Sequence, residues 1–140
     1  MDNNFLEDND LDWFATFNKS ELSHFTSGGS IAVPEKIKES IENYEMLYDY
    51  FLNLKQKSHI EIMEENLPHF LNQDKKEQYL RSYIDIASKG LFSYDINLTD
   101  NRYFLVAKPH SPLLFADIPE HIQKLVCQLS GDIESVFEVK

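Results

Sequence analysis

The stretch that decides the fold is 12-DWFATFNKSELSHFTSGGSIAVPE-35. Apolar side chains recur at every second position at its start, which is the period of a half-buried strand: Leu11, Trp13, Ala15 and Phe17. The polar residues 18–21 then turn the chain into a second strand over 22–26. The stretch therefore predicts a β-hairpin. After it, Gly28 and Gly29 allow the backbone to turn, and Pro34 begins a helix.

Three helical segments are predicted after this hairpin. The first covers about 35–54, because apolar side chains repeat there at spacings of three and four residues. The second covers about 58–71, where Pro68 should kink or split the helix. The third runs from a capping pattern at Asp74 to a stop at Gly90.

The C-terminal part of the sequence predicts a second hairpin, one more helix and a last strand. Segments 91–96 and 102–107 are rich in aromatic and β-branched residues and flank a polar turn. A helix is predicted over about 117–129, with Cys127 at a buried position. Residues 135–139, SVFEV, predict the last strand.

These elements follow the order ββ, ααα, ββ, α, β, with no internal repeat or dividing linker. We expect a single α+β domain over residues 11–140, with about five strands in a mainly antiparallel sheet covered by about four helices. Residues 1–10 are expected to form a polar acidic arm, with Phe5 and Leu6 as its anchors.

Negative charge is the strongest feature of the composition. The 24 acidic residues outnumber the 13 basic ones, and the formal net charge of -11 repels nucleic acid and anionic lipid. The sequence has neither an apolar run of membrane-spanning length nor the pattern of a signal peptide. We therefore expect a cytoplasmic protein with no nucleic-acid and no membrane partner.

The sequence carries no clear motif for catalysis, cofactor binding or metal binding. Residues 26–35 lack the lysine of a phosphate-binding loop, and the aspartates of 8–12 lack the glycine and glutamate of a calcium loop. The five histidines have no metal-binding spacing. His24 is expected to be partly buried and hydrogen-bonded rather than a catalytic base. We expect no catalytic residue, no cofactor and no metal, and a protein that is not an enzyme.

Surface recognition is the class of function that remains. Clustered carboxylates steer association with a basic partner, and aromatic side chains anchor interfaces. We predict partner-binding residues in two segments on either side of the first hairpin, with Trp13 as a weaker aromatic anchor. The predicted acidic contacts are Asp8, Asp10 and Asp12 before the hairpin and Glu35, Glu39, Glu42 and Glu45 on the first helix.

Four ordered motifs resemble small bacterial proteins of polymorphic-toxin immunity loci. They are DWFATF…HFTSGG…VPE, YDYFLNL, KGLFSYD and YFLVAKPHSPLLFADIPEHIQKL, and the similarity covers residues 11–129. The resemblance implies a cytoplasmic immunity protein that neutralises one cognate toxin, often a basic nuclease, by stoichiometric binding. It implies no residue roles.

Two other functions stay open from the residues alone. The first is a homo-oligomeric structural or adaptor module, such as a homodimer in which apolar strand faces pair with a second copy. The second is a small-ligand binder or an enzyme built around His24 and the Gly28–Gly29 turn.

Overall fold

A computed structural model describes residues 1–139 and begins its sheet with the expected hairpin. Strand β1 (Asp12–Phe17) pairs antiparallel with β2 (Leu22–Thr26), so the predicted hairpin is confirmed. Asn18 and Lys19 at its turn have φ values of 52° and 58°. Two successive positive φ values match the twist of a hairpin, as in type I′ turns.

The sheet is larger than predicted and is mixed rather than mainly antiparallel. Within residues 1–139 it has seven strands in the order β3, β5, β4, β2, β1, β6, with β7 also paired to β5. The other strands are β3 (Ile60–Ile62), β4 (Phe92–Asn97), β5 (Arg102–Pro109), β6 (Cys127–Leu129) and β7 (Val136–Glu138). Two pairs are parallel, β1 with β6 and β2 with β4, because long crossover segments connect them.

Five α-helices occur in the described part of the chain, so the α+β class is confirmed. They are α1 (Asn3–Asp8), α2 (Glu35–Lys38), α3 (Ile41–Leu52), α4 (Gln73–Ser88) and α5 (Glu120–Gln123). Two short 3-10 turns lie at Glu64–Asn66 and Phe115–Asp117. None of the helices in residues 1–139 combines the length and apolar character needed to cross a membrane.

The single helix predicted over 35–54 is wrong, because the chain breaks between α2 and α3. Ser40 has extended backbone angles, and its hydroxyl accepts a hydrogen bond from the Asn43 N–H at 3.1 Å. A serine in this conformation is an N-cap, which starts a new helix instead of continuing the old one.

The helices predicted over 58–71 and 117–129 are also wrong. The first region forms β3 and a 3-10 turn, and the second contains only the short α5 followed by β6. Short apolar runs have no decisive period, so available sheet edges determine their structure. Cys127 is buried as predicted, but it pairs with Ala15 of β1 rather than lying in a helix.

The remaining elements agree with the sequence apart from one cap. The hairpin of β4 and β5, the last strand β7 and the stop of α4 at Gly90 are confirmed. The cap of α4 is Asn72 rather than Asp74, since the Asn72 side chain accepts from the Lys75 N–H at 2.9 Å.

Residues 1–10, predicted as an acidic arm, contain helix α1. Leu6 on this helix is completely buried in the core cluster that also contains Trp13. The N-terminal amine donates a hydrogen bond to the carbonyl of Lys38 at 2.8 Å, which places the start of the chain beside α2. The acidic residues of this segment are therefore held close to the domain.

A stack of aromatic rings forms the centre of the core on one face of the sheet. The rings of Trp13 and Phe25 stack with centroids 4.1 Å apart, and those of Phe25 and Tyr94 stack at 4.7 Å. The Trp13 indole N–H donates to the hydroxyl of Tyr103 at 3.2 Å. These residues belong to β1, β2, β4 and β5, so the stack joins four neighbouring strands.

The sheet curls over this aromatic stack. Phe137 of β7 contacts Phe17 of β1 with ring centroids 5.5 Å apart. Four interstrand steps separate these two strands, a span of roughly 19 Å in a flat sheet. The short distance therefore requires strong curvature, and Phe137 closes the open side of the core.

The opposite face of the sheet is covered by α3 and α4. Phe14 of β1 packs on Phe51 of α3 with centroids 4.6 Å apart, and Ile86 of α4 joins the same cluster. The buried Lys89 donates from Nζ to the carbonyl of Leu52 at 2.6 Å, which satisfies the end of α3.

Closure by β7 predicts that a half-buried residue close to the C-terminus contributes strongly to stability. Phe137→Ala should lower the free energy of unfolding by about 2 kcal/mol, since it removes aromatic contacts across the curled sheet. The matched variant Val136→Ala, at a residue that is 49% exposed, should cost less than about 0.5 kcal/mol. Urea unfolding followed by fluorescence of the single tryptophan tests both, and equal effects would contradict the closure.

Candidate functional site

Two predicted acidic segments meet where β1 begins. The backbone N–H of Asp12 donates to the hydroxyl of Tyr44 at 3.1 Å, so the start of β1 lies against α3. Burial raises the pKa of Tyr44 to about 12, and the charges of Asp12 and Asp10 add to this increase. The carboxylates of Asp10 and Asp12 therefore lie near the N-terminal half of α3.

Helix α3 exposes apolar side chains among its carboxylates. Ile41 is 44% exposed and Tyr48 is 38% exposed, and the Tyr48 ring lies 6.3 Å from that of Tyr44. Glu42 and Glu45 are exposed on the same helix. We refer to Ile41, Glu42, Glu45 and Tyr48 as the α3 surface. It combines an aromatic anchor, an aliphatic side chain and two negative charges, which are the ingredients of an interface for a basic partner.

The other predicted acidic contacts lie on elements next to this surface. Asp8 is exposed at the end of α1, and Glu39 is exposed between α2 and α3. Asp10 is exposed, and its carboxylate accepts a hydrogen bond from the Gly28 N–H at 2.8 Å. Glu35 forms a salt bridge with Lys38 at 3.2 Å. The structure thus brings the two acidic segments together along α1, the start of β1, α2 and α3.

Trp13 requires a correction as a predicted contact residue. Its side chain is only 1% exposed and stacks on Phe25 inside the core, so the indole has no surface to offer a partner. The alternation that predicted β1 also indicated its apolar face, which is where Trp13 lies.

The exposed aromatic side chain of the α3 surface is Tyr48, although it lies at the helical spacing of the apolar residues in 35–54. The buried stripe of α3 is narrower and rests on Leu47 and Phe51. No local signal separates Tyr48 from the buried positions, because its exposure is decided by what packs against α3 in the fold.

His24 forms a hydrogen-bonded set with a serine and an aspartate. Its Nδ1 lies 2.8 Å from the Ser93 Oγ, and its Nε2 lies 2.7 Å from an Asp12 carboxylate oxygen. These residue types also make up the triads of serine hydrolases. Here Ser93 and His24 are both completely buried, so their reactive atoms are closed to a substrate. The set instead ties together β1, β2 and β4, and His24 is hydrogen-bonded as predicted and more deeply buried.

The Gly28–Gly29 turn is a backbone turn, as predicted. Gly28 and Gly29 have φ values of 58° and 81°, and the Ser30 N–H donates to the carbonyl of Ser27 at 2.9 Å. A Cβ atom on Gly29 would lie 3.1 Å from the carbonyl oxygen of Glu7. Glycine therefore lets α1 approach the turn closely.

The other reactive groups of the described chain give no sign of activation. Burial raises the pKa of the Cys127 thiol to about 11, which keeps it protonated at neutral pH. Within residues 1–139, His, Cys, Asp and Glu side chains form no group of three or more that could hold a metal ion.

Comparison of the chain with protein-family models, with curated proteins and with solved structures found no match. The structure defines the class of the molecule as an α+β protein with a mixed, curled sheet.

The buried histidine predicts a structural role for Asp12. Asp12→Ala should lower the free energy of unfolding by about 1 to 2 kcal/mol, because it leaves the buried Nε2 of His24 without a partner. Asp12→Asn, which keeps a hydrogen-bonding group, should recover part of this loss. Asp10→Ala, which removes a neighbouring exposed carboxylate, should have a clearly smaller effect. Urea unfolding measures all three, and equal losses at both positions would contradict the role of the His24 contact.

Tyr44 predicts a loss of stability at high pH. Its pKa in the folded protein, about 12, exceeds the ordinary tyrosine value of 10.0. Stability from the neutral hydroxyl is therefore fully present below pH 10 and is lost as the pH rises towards 12. In Tyr44→Phe, the free energy of unfolding should fall less steeply above pH 10. The difference in slope between the two proteins should correspond to at most about one proton released on unfolding. Urea unfolding between pH 9 and pH 11.5 tests this, and parallel curves for the two proteins would contradict it.

Proposed function

We propose that the protein is a cytoplasmic bacterial immunity protein that neutralises a cognate protein toxin by stoichiometric, non-covalent binding. In this proposal the toxin is basic, as nucleases are, and the immunity protein carries out no chemistry. The toxin binds at the α3 surface together with Asp8, Asp10 and the neighbouring carboxylates of Glu35 and Glu39.

The observation that carries the proposal is the contact between Asp12 and Tyr44. It joins the acidic segment before β1 to the acidic helix α3, although 32 positions separate the two residues in sequence. Two separate charged segments become one negative region, with Tyr48 exposed within it. A region of this kind speeds association with a positively charged partner and gives the complex an apolar anchor.

Inhibition would follow from the charge of the partner's own active site. A nuclease cleft carries basic side chains that hold phosphates, and carboxylates can occupy the same positions. Exposed acids contribute mainly to the association rate and its salt dependence, whereas Ile41 and Tyr48 contribute to the lifetime of the complex. The two kinds of residue on the α3 surface therefore have separable roles.

The alternative functions gain less support from the geometry. A homodimer formed through apolar strand faces needs an uncovered face, and α1 and α2 cover one face of this sheet while α3 and α4 cover the other. A ligand site at His24 needs access to the imidazole, which is completely buried.

Charge reversal on α3 tests the proposal. Glu42→Lys combined with Glu45→Lys should weaken binding to the cognate toxin by at least about tenfold and reduce the dependence of the affinity on salt. The first step is to look at the gene immediately upstream: if it encodes a large secreted protein with a variable C-terminal domain, that domain is the toxin used in this experiment. Isothermal titration calorimetry at several NaCl concentrations gives both quantities.

A control with the same change in total charge separates local recognition from overall electrostatics. Asp132→Lys combined with Glu134→Lys alters two exposed acids in the segment between β6 and β7, outside the predicted contacts, and should change the affinity much less. If the two double variants bind alike, or if neither changes affinity or salt dependence, recognition at the α3 surface is wrong.

A further inference from the structure

A second surface feature lies beside the β4–β5 hairpin. It is a groove of about 540 Å³ whose walls are largely apolar. The apolar residues that line it include Leu67, Pro68, Leu98, Phe104 and Val136. Leu98 is 60% exposed and Val136 is 49% exposed, which is unusual for neighbouring large apolar side chains.

Two carboxylates line the groove: that of Asp100 is exposed, whereas that of Asp95 is half-buried. One of its oxygens accepts hydrogen bonds from the Thr26 hydroxyl at 3.0 Å and from the Ile96 N–H at 2.7 Å. The other oxygen accepts from the Tyr79 hydroxyl at 2.5 Å. A carboxylate offers about four acceptor positions, so one position on the second oxygen is left.

The charge of Asp95 is not balanced within residues 1–139. All three donors are neutral, and none of the salt bridges in this part of the chain includes Asp95. Arg102 also lines the groove, but its guanidinium lies 3.7 Å from Glu138 and is 56% exposed. A partly desolvated carboxylate between apolar walls attracts a cation that carries an apolar stem.

We propose that this groove binds an arginine side chain of the basic partner, with Asp95 as the acceptor for one guanidinium N–H. This inference rests on the proposed function for the source of the arginine. Arginine fits better than lysine because its planar, weakly hydrated guanidinium stacks on aromatic rings such as that of Phe104. Its aliphatic stem matches Leu67 and Leu98.

The groove adjoins the acidic region described above. Asp10 accepts from the Gly28 N–H, and a Cβ on Gly28 would lie 3.6 Å from Leu98. Leu98 therefore lies between the groove and the turn beside Asp10. From there, the backbone N–H of Asp12 donates a hydrogen bond to Tyr44 of α3. One extended basic surface of a partner can reach both features.

The test uses a small probe that separates the groove from the rest of the interface. The peptide acetyl-Leu-Arg-Leu-amide is titrated into ¹⁵N-labelled protein at physiological salt, and its matched control carries citrulline, a neutral isostere, in place of arginine. The arginine peptide should shift the amide signals of residues 66–67 and 95–98 saturably. The citrulline peptide should bind at least about tenfold more weakly, because it lacks the charge-assisted hydrogen bond.

Two variants test the role of Asp95 in different ways. Asp95→Asn should weaken binding of the arginine peptide at least about tenfold. Leu98→Lys places an ammonium group at the mouth of the groove and should have a similar effect, and its exposed position makes it safe for folding. If Asp95→Asn does not fold, the Leu98→Lys result decides the role of the groove.

Three results would overturn the inference: equal binding of the two peptides, wild-type binding by folded variants, or signal shifts confined to residues 41–49. Affinity for the toxin domain is measured in parallel. If the toxin domain binds in a way that depends on Glu42 and Glu45 but the peptide does not bind, the inference about the groove is wrong and the proposed function stands. If the peptide binds but reversing the charges of Glu42 and Glu45 leaves toxin binding unchanged, the proposed function is wrong and the groove remains a binding site.

Discussion

Stacking of Trp13 on Phe25 and of Phe25 on Tyr94 is the constraint on which the rest of the molecule depends. These three residues are direct partners across β1, β2 and β4, so a slip of one residue would turn every ring in the slipped strand to the opposite face. The same register gives the opposite face its polar contacts. Asp12 then meets His24, and His24 meets Ser93. The apolar stack therefore fixes the positions of the groups that organise the acidic surface.

The polar residues at the end of the three central strands connect this core to the proposed interface. Asp12 of β1 pairs with Thr26 of β2 in the register, and Thr26 donates to Asp95 of β4. The backbone N–H of Asp12 donates to the hydroxyl of Tyr44 on α3, and the Asp95 carboxylate accepts from the hydroxyl of Tyr79 on α4. Two acidic residues of the sheet are thus tied to two separate helices, Asp12 through its backbone and Asp95 through its carboxylate. One supports the acidic α3 surface and the other lies in the apolar groove, which explains how a single fold presents both features side by side.

Local sequence was sufficient for the elements that carry strong local signals. Both hairpins, α4 and the last strand have alternating patterns, polar turns or clear stops, and the predicted α+β class follows from them. The helices predicted over 58–71 and 117–129 were wrong because their short apolar runs join sheet edges supplied by distant strands. The acidic residues were predictable as a group, since charge is a property of the sequence. The burial of Trp13, the exposure of Tyr48 and the unbalanced charge of Asp95 depend on contacts across the fold, which no local pattern contains.

Hydrogen–deuterium exchange of the protein alone and in complex with its cognate toxin domain tests the central claim most directly, because it locates the interface without altering a residue. The account predicts slower exchange on binding in residues 8–12 and 41–49, with little change in residues 60–62 of β3 at the opposite edge of the sheet. A complex that leaves exchange in residues 8–12 and 41–49 unchanged would contradict recognition through the joined acidic segments.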